Sequence, residues 1–154
     1  MPDPQKPPPP PARAPIERLE PAIRVLMMPK DTNALGTIFG GIILSYIDQA
    51  GAIPAHRHTP GRIVTVAMRE IVFHAPVNVG DLVSFYAEVA RVGTTSITVK
   101  VLVEAERPGP EARRVKVTEA DVTYVQVDDR GRPTPLLGRQ AVTGQSVTGQ
   151  GVRG

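Results

Sequence analysis

One carboxylate stands out for its surroundings. Asp48 follows Ile42-Ile43-Leu44 and Ile47 and precedes Ala50-Gly51-Ala52-Ile53, so it sits inside a stretch that is otherwise largely apolar. Removing an unpaired carboxylate from water is costly, so Asp48 needs a partner, a raised pKa or a solvated cleft. Placed in a cleft, it could act as a general base on water or as a nucleophile. The plainer alternative is that the segment turns one polar edge to solvent there. Gly40 and Gly41 stand together just upstream. Glycine is a poor helix former, so the pair suggests either close backbone approach or exposed amides. Bare N–H groups at a helix start can stabilise an oxyanion or a phosphate. The same pair could instead let a helix cross a sheet closely.

Several other chemistries are excluded. There is no Cys, which removes disulfides, thiolate metal sites and Cys nucleophiles. His56 and His58 lack the four-residue helical spacing of a zinc pair, and His74 lies at an expected strand end beside Pro76, so no metal site is expected. There is no Gly-x-Ser-x-Gly elbow, and the glycines at 36–41 lack the P-loop Lys and the dinucleotide-binding spacing. The pI of 9.6 invites a nucleic-acid reading. However, residues 22–137 carry 13 basic and 12 acidic side chains, and part of the excess is Arg139 and Arg153 near the C-terminal end. That is not the concentrated basic face a nucleic-acid domain presents. No apolar run approaches a membrane span and no signal-peptide core is visible, so a cytoplasmic protein is expected.

The elements that must position these residues are readable from periodicity. The 154 residues are enough for one domain with a real core, and with 4% aromatic residues that core must be aliphatic. Nine of the 17 prolines fall in residues 1–21, which reads as an extended arm. Residues 138–154 repeat Val-Thr-Gly-Gln and read as a flexible tail, leaving 22–137 as the folded domain. Within it a strand is expected over 22–28. A helix is expected over 37–56, apolar on most sides and therefore buried, with Pro54 ending or kinking it. From Arg62 the period changes to two. Strands are expected over 62–74, 82–92, 95–106 and 113–127, four strands in meander order. One long helix segregated from antiparallel strands indicates an α+β fold.

The run Asp31-Thr32-Asn33-Ala34-Leu35-Gly36-Thr37-Ile38-Phe39-Gly40-Gly41, followed by Ile47-Asp48-Gln49-Ala50-Gly51-Ala52, resembles the acyl-CoA thioesterases of the hotdog superfamily, within them the YciA-like and brain-type acyl-CoA hydrolases. Ile63-Val64-Thr65-Val66, Phe73-His74-Ala75-Pro76-Val77 with Gly80-Asp81, and Gly93-Thr94-Thr95-Ser96 extend the resemblance over about 22–135. It implies a hotdog fold, a long helix wrapped by a curved antiparallel sheet. It also implies a catalytic pair, Asn33 before the helix and Asp48 within it, in a dimer that pairs Asn33 of one subunit with Asp48 of the other. The family adds trimers of dimers, so a hexamer is expected. Ala67 stands where relatives often carry a basic residue, and Glu70 where they often carry Gly.

On this reading Asp48 activates water or attacks directly, Asn33 orients water or substrate, and amides at the helix start, chiefly Gly41 with Gly40 beside it, polarise the thioester carbonyl. Gly41 and Asp48 are seven residues apart. That is about 10 Å along a helix, too far for one chain's Asp48 to reach a carbonyl held by its own Gly41. A second copy related by a two-fold axis removes the difficulty. Arg62, Arg91 and the Gly93-Thr94-Thr95-Ser96 hairpin are candidates for holding CoA at the rim. Thioesters are activated, so neither a metal nor an organic cofactor is required. Two alternatives stay open. One is a non-catalytic acyl-CoA or nucleotide-binding module, although Asp48 is present. The other is a hotdog dehydratase, which would want a His on or before the helix where none stands.

Overall fold

The computed structural model describes residues 20–111 and 113–136. Apart from Glu20 and Pro21, the expected proline-rich arm lies outside these residues, as does the expected C-terminal tail. The elements are β1 (Ile23–Leu26), a 3-10 turn (Pro29–Asp31), helix α1 (Gly40–His56), β2 (Arg62–Arg69), β3 (Leu82–Val92), β4 (Ser96–Arg107) and β5 (Arg113–Val127).

The five strands form one antiparallel sheet in the order β1-β3-β4-β5-β2. Only β3, β4 and β5 form the expected meander. The chain closes their hairpins where the turn residues predict, with the Gly93 amide donating to the Ser96 carbonyl at 2.7 Å and Gly109 at φ 152° beyond β4. β2 does not join β3. The free edge of β3 is taken by β1, with Ile23 opposite Phe85, so β2 crosses to the open edge of β5, with Arg62 opposite Val127. The long connection over residues 70–81 makes that crossing possible.

β2 also ends at Arg69, not at His74 as expected. Glu70 has φ 62°, a left-handed backbone that breaks an extended strand. The helix likewise begins three residues later than expected. The Ile38 amide donates to the Val77 carbonyl at 2.8 Å and the Phe39 amide to the Asp31 carbonyl at 2.9 Å, so both are already committed outside the helix. At the other end Pro54 does not stop the helix, which runs on to His56. Less than a turn remains there, so the bond that proline cannot donate costs little continuity.

The core lies between α1 and the concave face of the sheet. Ile43, Ile47, Ala50, Gly51 and Ala55 form one buried helix stripe. They pack on Val83 and Phe85, on Ile97, Val99, Val101 and Val103, and on Val117, Ala120, Val122 and Tyr124. Alternate residues of each strand thus face the helix, at about 1.5–3 kcal/mol for each large apolar side chain fully buried. Only this stripe is buried; Ser45, Gln49 and Ile53 are exposed, so the helix is one-sided and not buried all round. Register shifts next to Val66, Ala90 and Val103 bend the strands so that the sheet curls around the helix. Among the described residues no helix is long and apolar enough to cross a membrane.

Candidate active site

Asp48 lies near the middle of α1 on the side facing β2 and is half-buried. The Thr65 hydroxyl donates to Asp48 Oδ1 at 2.5 Å. The Tyr124 hydroxyl donates to the Asp48 main-chain carbonyl at 2.6 Å. Burial, reinforced by the Asp48 charge, pushes the Tyr124 phenol above its ordinary pKa, so it stays protonated and remains a donor. Tyr124 is fully inside, and Gly51 makes room for it: a Cβ on Gly51 would collide with the Tyr124 hydroxyl. The carboxylate therefore has both a partner and access to solvent. One oxygen is held by Thr65, and Oδ2 takes no hydrogen bond among the described residues. Thr65 reaches Asp48 because β2 pairs with β5, where Thr65 stands opposite Tyr124, and the irregularity after Thr65 resets the alternation of the strand.

The helix start has no side-chain cap, since Phe39 occupies that position. The Gly40 and Gly41 amides find no acceptor among the described residues, as expected for the first turn of a helix. Neither glycine serves a close crossing of the sheet. A Cβ on Gly41 would lie 2.5 Å from Cε1 of Phe39, whose ring folds back over it, while one on Gly40 would meet Phe73 Cζ at an ordinary 3.7 Å. A groove of about 360 Å³ lies beside the helix start, lined by Ile38, Gly40, Ile43 and the segment from Phe73 to Val77.

Asn33 is largely occupied by its own loop. Its Oδ1 accepts from the Leu35 amide at 2.8 Å and the Thr37 amide at 3.3 Å, and its Nδ2 donates to the Thr37 hydroxyl at 2.9 Å. One Nδ2 hydrogen remains for another acceptor. The side chain thus ties down the loop that delivers Phe39 and Gly40 to the helix.

Arg62 and the 93–96 hairpin lie at the other end of the helix. The Arg62 guanidinium donates to the Asp128 carbonyl at 2.8 Å and pairs with Asp129 at 3.7 Å. The Thr95 carbonyl accepts from the Gln126 amide and the Thr94 carbonyl from the Leu136 amide, both at 2.9 Å. Arg91 is exposed near the same end of β3, next to Gly93 and Ser96. Within one chain, then, the expected residues fall into separate groups. Asn33, Gly40 and Gly41 gather at the helix start. Arg62, Arg91, Gly93, Thr94, Thr95 and Ser96 gather at the far end, and Asp48 lies between. Sequence reading assigned no role to Thr65, Tyr124 or Phe73. A hydroxyl in the β-branched run 63–66 is a weak signal for the first.

A family model described as the thioesterase superfamily matches residues 35–112. The acyl-CoA thioester hydrolase YciA of Salmonella typhimurium is 46% identical over 116 residues, 74% of this chain and 87% of that protein. The chain belongs to the thioesterase superfamily. The thioesterase match spans Gly40, Gly41, Asp48 and Thr65 and stops short of Asn33 on one side and Tyr124 on the other. A hexameric hotdog fold thioesterase of Campylobacter jejuni is similar at TM-score 0.73 and 45% identity, covering 79% of this chain and 93% of that one. A hexameric thioesterase of Yersinia pestis is similar at TM-score 0.70 and 44% identity, covering 76% and 94%. The one-helix, five-strand architecture of this thioesterase-superfamily chain is the hotdog fold.

Proposed function

We propose that the protein hydrolyses acyl-CoA thioesters at a site shared between two copies of the chain. The observation that carries this is the half-buried Asp48 carboxylate with one oxygen held by Thr65, on a helix whose first amides are free. The name of the Salmonella relative supports the substrate class.

The first-turn amides, Gly41 foremost, polarise the thioester carbonyl and take up the charge that develops on its oxygen. Asp48 Oδ2 removes a proton from water as the water oxygen bonds to the carbonyl carbon. The tetrahedral intermediate then expels the CoA thiolate, which recovers the proton from Asp48, leaving the carboxylic acid. In the nucleophilic variant, Oδ2 itself bonds to the carbonyl carbon, CoA leaves, and water opens the resulting anhydride. In both routes Thr65 fixes the carboxylate so that Oδ2 is the free oxygen.

Seven residues, or about 10 Å of helix, separate Gly41 from Asp48 of the same chain. An antiparallel pair of helices removes that gap and sets one chain's helix start toward its partner's Asp48. It also sets the partner's helix end, with Arg62, Arg91 and the 93–96 hairpin, on the same side, about 12 Å past the partner's Asp48, where their cations and amides can hold CoA phosphates. The groups that are separate in one chain become a single site in the dimer, with the spare Nδ2 hydrogen of Asn33 available to water or substrate. Among the described residues the outer edge of β2 is unpaired, and it exposes Val64 and Val66, which suits chain-to-chain pairing. Three such dimers would make the hexamer named for the Campylobacter and Yersinia relatives. We place the enzyme in the cytoplasm.

Subunit mixing tests the shared site. Asn33→Ala and Asp48→Asn chains, each inactive alone in a CoA thiol-release assay, are unfolded, mixed and reannealed. A mixed dimer holds one intact site, so random pairing should restore roughly a quarter of wild-type activity. Mixed dimers confirmed by mass that stay inactive would place the reaction within one chain.

A further inference from the structure

Gln126 on β5 is 2% exposed and has no role in the steps above. Its Oε1 accepts from the buried Thr59 hydroxyl, whose oxygen in turn accepts from the Gly61 amide at 3.2 Å. Its Nε2 donates to the Thr134 hydroxyl at 3.1 Å and to the Pro135 carbonyl at 2.8 Å. Its main-chain amide donates to the Thr95 carbonyl, and its carbonyl accepts from the Thr134 amide, both at 2.9 Å. Gly61 packs so closely on this side chain that a Cβ there would collide with it. The segments joined in this way flank the groups proposed for CoA. Gly61 precedes Arg62, Thr95 belongs to the 93–96 hairpin, and the Leu136 amide holds the Thr94 carbonyl at 2.9 Å. An apolar side chain could fill the same space without the cost of burying an amide. A bonded polar network instead selects one arrangement of the segments around it. We propose that Gln126 is a positioning residue for CoA, presetting the spacing between Arg62 and the 93–96 hairpin that the CoA phosphates bridge. The proposal rests on the acyl-CoA hydrolase reading, with CoA held at the helix end. Gln126 touches no substrate; it acts through Gly61-Arg62 on one side and Thr94-Thr95 on the other. Backbone fixed before binding lowers the ordering cost of binding, so the effect falls on affinity for CoA.

The test compares butyryl-CoA with the butyryl thioester of N-acetylcysteamine, which keeps the acyl group and the thioester but lacks the phosphates. Gln126→Met keeps an unbranched side chain of similar length and removes the amide. It should raise KM for butyryl-CoA, and the inhibition constant of free CoA, on the order of tenfold, with kcat near wild type. On the truncated thioester its kcat/KM should stay within about twofold of wild type. Thr134→Val removes one Nε2 partner at a less buried position and should shift both CoA constants about threefold in the same direction. It carries the test if Gln126→Met does not fold. Equal losses on both substrates would show a merely structural role and overturn the proposal. CoA affinity unchanged in the folded variant, while Arg62→Ala weakens it, overturns the role of Gln126 and leaves the CoA site intact. If Arg62→Ala does not weaken CoA binding either, the CoA site is misplaced and the proposal falls with it. A wild type that hydrolyses neither thioester overturns the hydrolase reading itself.

Discussion

The Thr65 hydroxyl meets Asp48 Oδ1 at 2.5 Å, joining strand β2 to the middle of the helix through the carboxylate proposed above as the base. A hydrogen bond to a charged acceptor contributes about 1.5–3 kcal/mol. Spent on holding Asp48 in its reactive pose, that corresponds to roughly 10–100-fold in kcat. Thr65→Val keeps the shape and removes the donor, so kcat should fall by about that factor with KM little changed. Thr65→Ser should recover most of the loss. Steady-state kinetics that show equal rates for the Val and Ser variants would remove Thr65 from the mechanism.

Tyr124 gives a pH signature. Its phenol has a raised pKa in the folded protein, whereas in the unfolded chain it ionises near its ordinary value of about 10. The folded state therefore favours the protonated form. Its contribution to stability is complete below pH about 10 and is lost as pH rises through the folded pKa. Urea unfolding of the wild type and Tyr124→Phe should differ by a constant amount from pH 7 to 9 and converge as pH climbs beyond 10. A gap that stays constant through the alkaline range would show that the Tyr124 proton is not linked to folding.

Gly51 and Gly40 should respond oppositely to the same change. At Gly51 an added methyl meets the Tyr124 hydroxyl, which is buried and tied to the Asp48 carbonyl and so has nowhere to go. Gly51→Ala should cost about 1–3 kcal/mol, as overpacking in a core does. Tyr124→Phe in that background removes the offending oxygen and should restore part of the loss, a coupling visible in a double-mutant cycle. At Gly40 the methyl finds only ordinary contact with Phe73. Gly40→Ala should leave stability unchanged or raise it by up to about 1 kcal/mol, the helix preference for alanine. Chemical denaturation of the wild type and these four variants settles both signs.

Much of the fold was legible because its signals are local. β3 and β5 begin and end where the two-residue alternation meets Val92-Gly93, Gly80-Asp81 and Asp128-Asp129. The misplaced boundaries came from long-range pairing. Nothing near Thr37 in the chain indicates that the Ile38 amide belongs to the Val77 carbonyl, and Ile71, Val72 and Phe73 prolong a strand pattern that the backbone abandons at Glu70. The same holds for the site. Asp48 declared itself by being charged among apolar neighbours. Its partners are set by long-range packing that no local pattern encodes: Thr65 by the pairing of β2 with β5, and Tyr124 by the packing of β5 on the helix.

Glu70 provides a test of the backbone itself. Among the described residues it is the non-glycine residue with positive φ, at 62°. A left-handed backbone costs an L-residue with a Cβ about 1–2 kcal/mol. Glycine escapes that cost but gives back about 0.5–1 kcal/mol in unfolded-chain entropy. Glu70→Gly should therefore stabilise the protein by up to about 1 kcal/mol, a rise of a few degrees in Tm. Glu70→Ala keeps the Cβ and removes only the carboxylate, so it should melt close to the wild type. The comparison separates backbone strain from charge. If the carboxylate makes a stabilising contact in the assembled protein, Ala and Gly should both lower Tm. If strain dominates, Gly alone should raise it. Thermal melts in which Glu70→Gly falls below Glu70→Ala would refute the strain at this position.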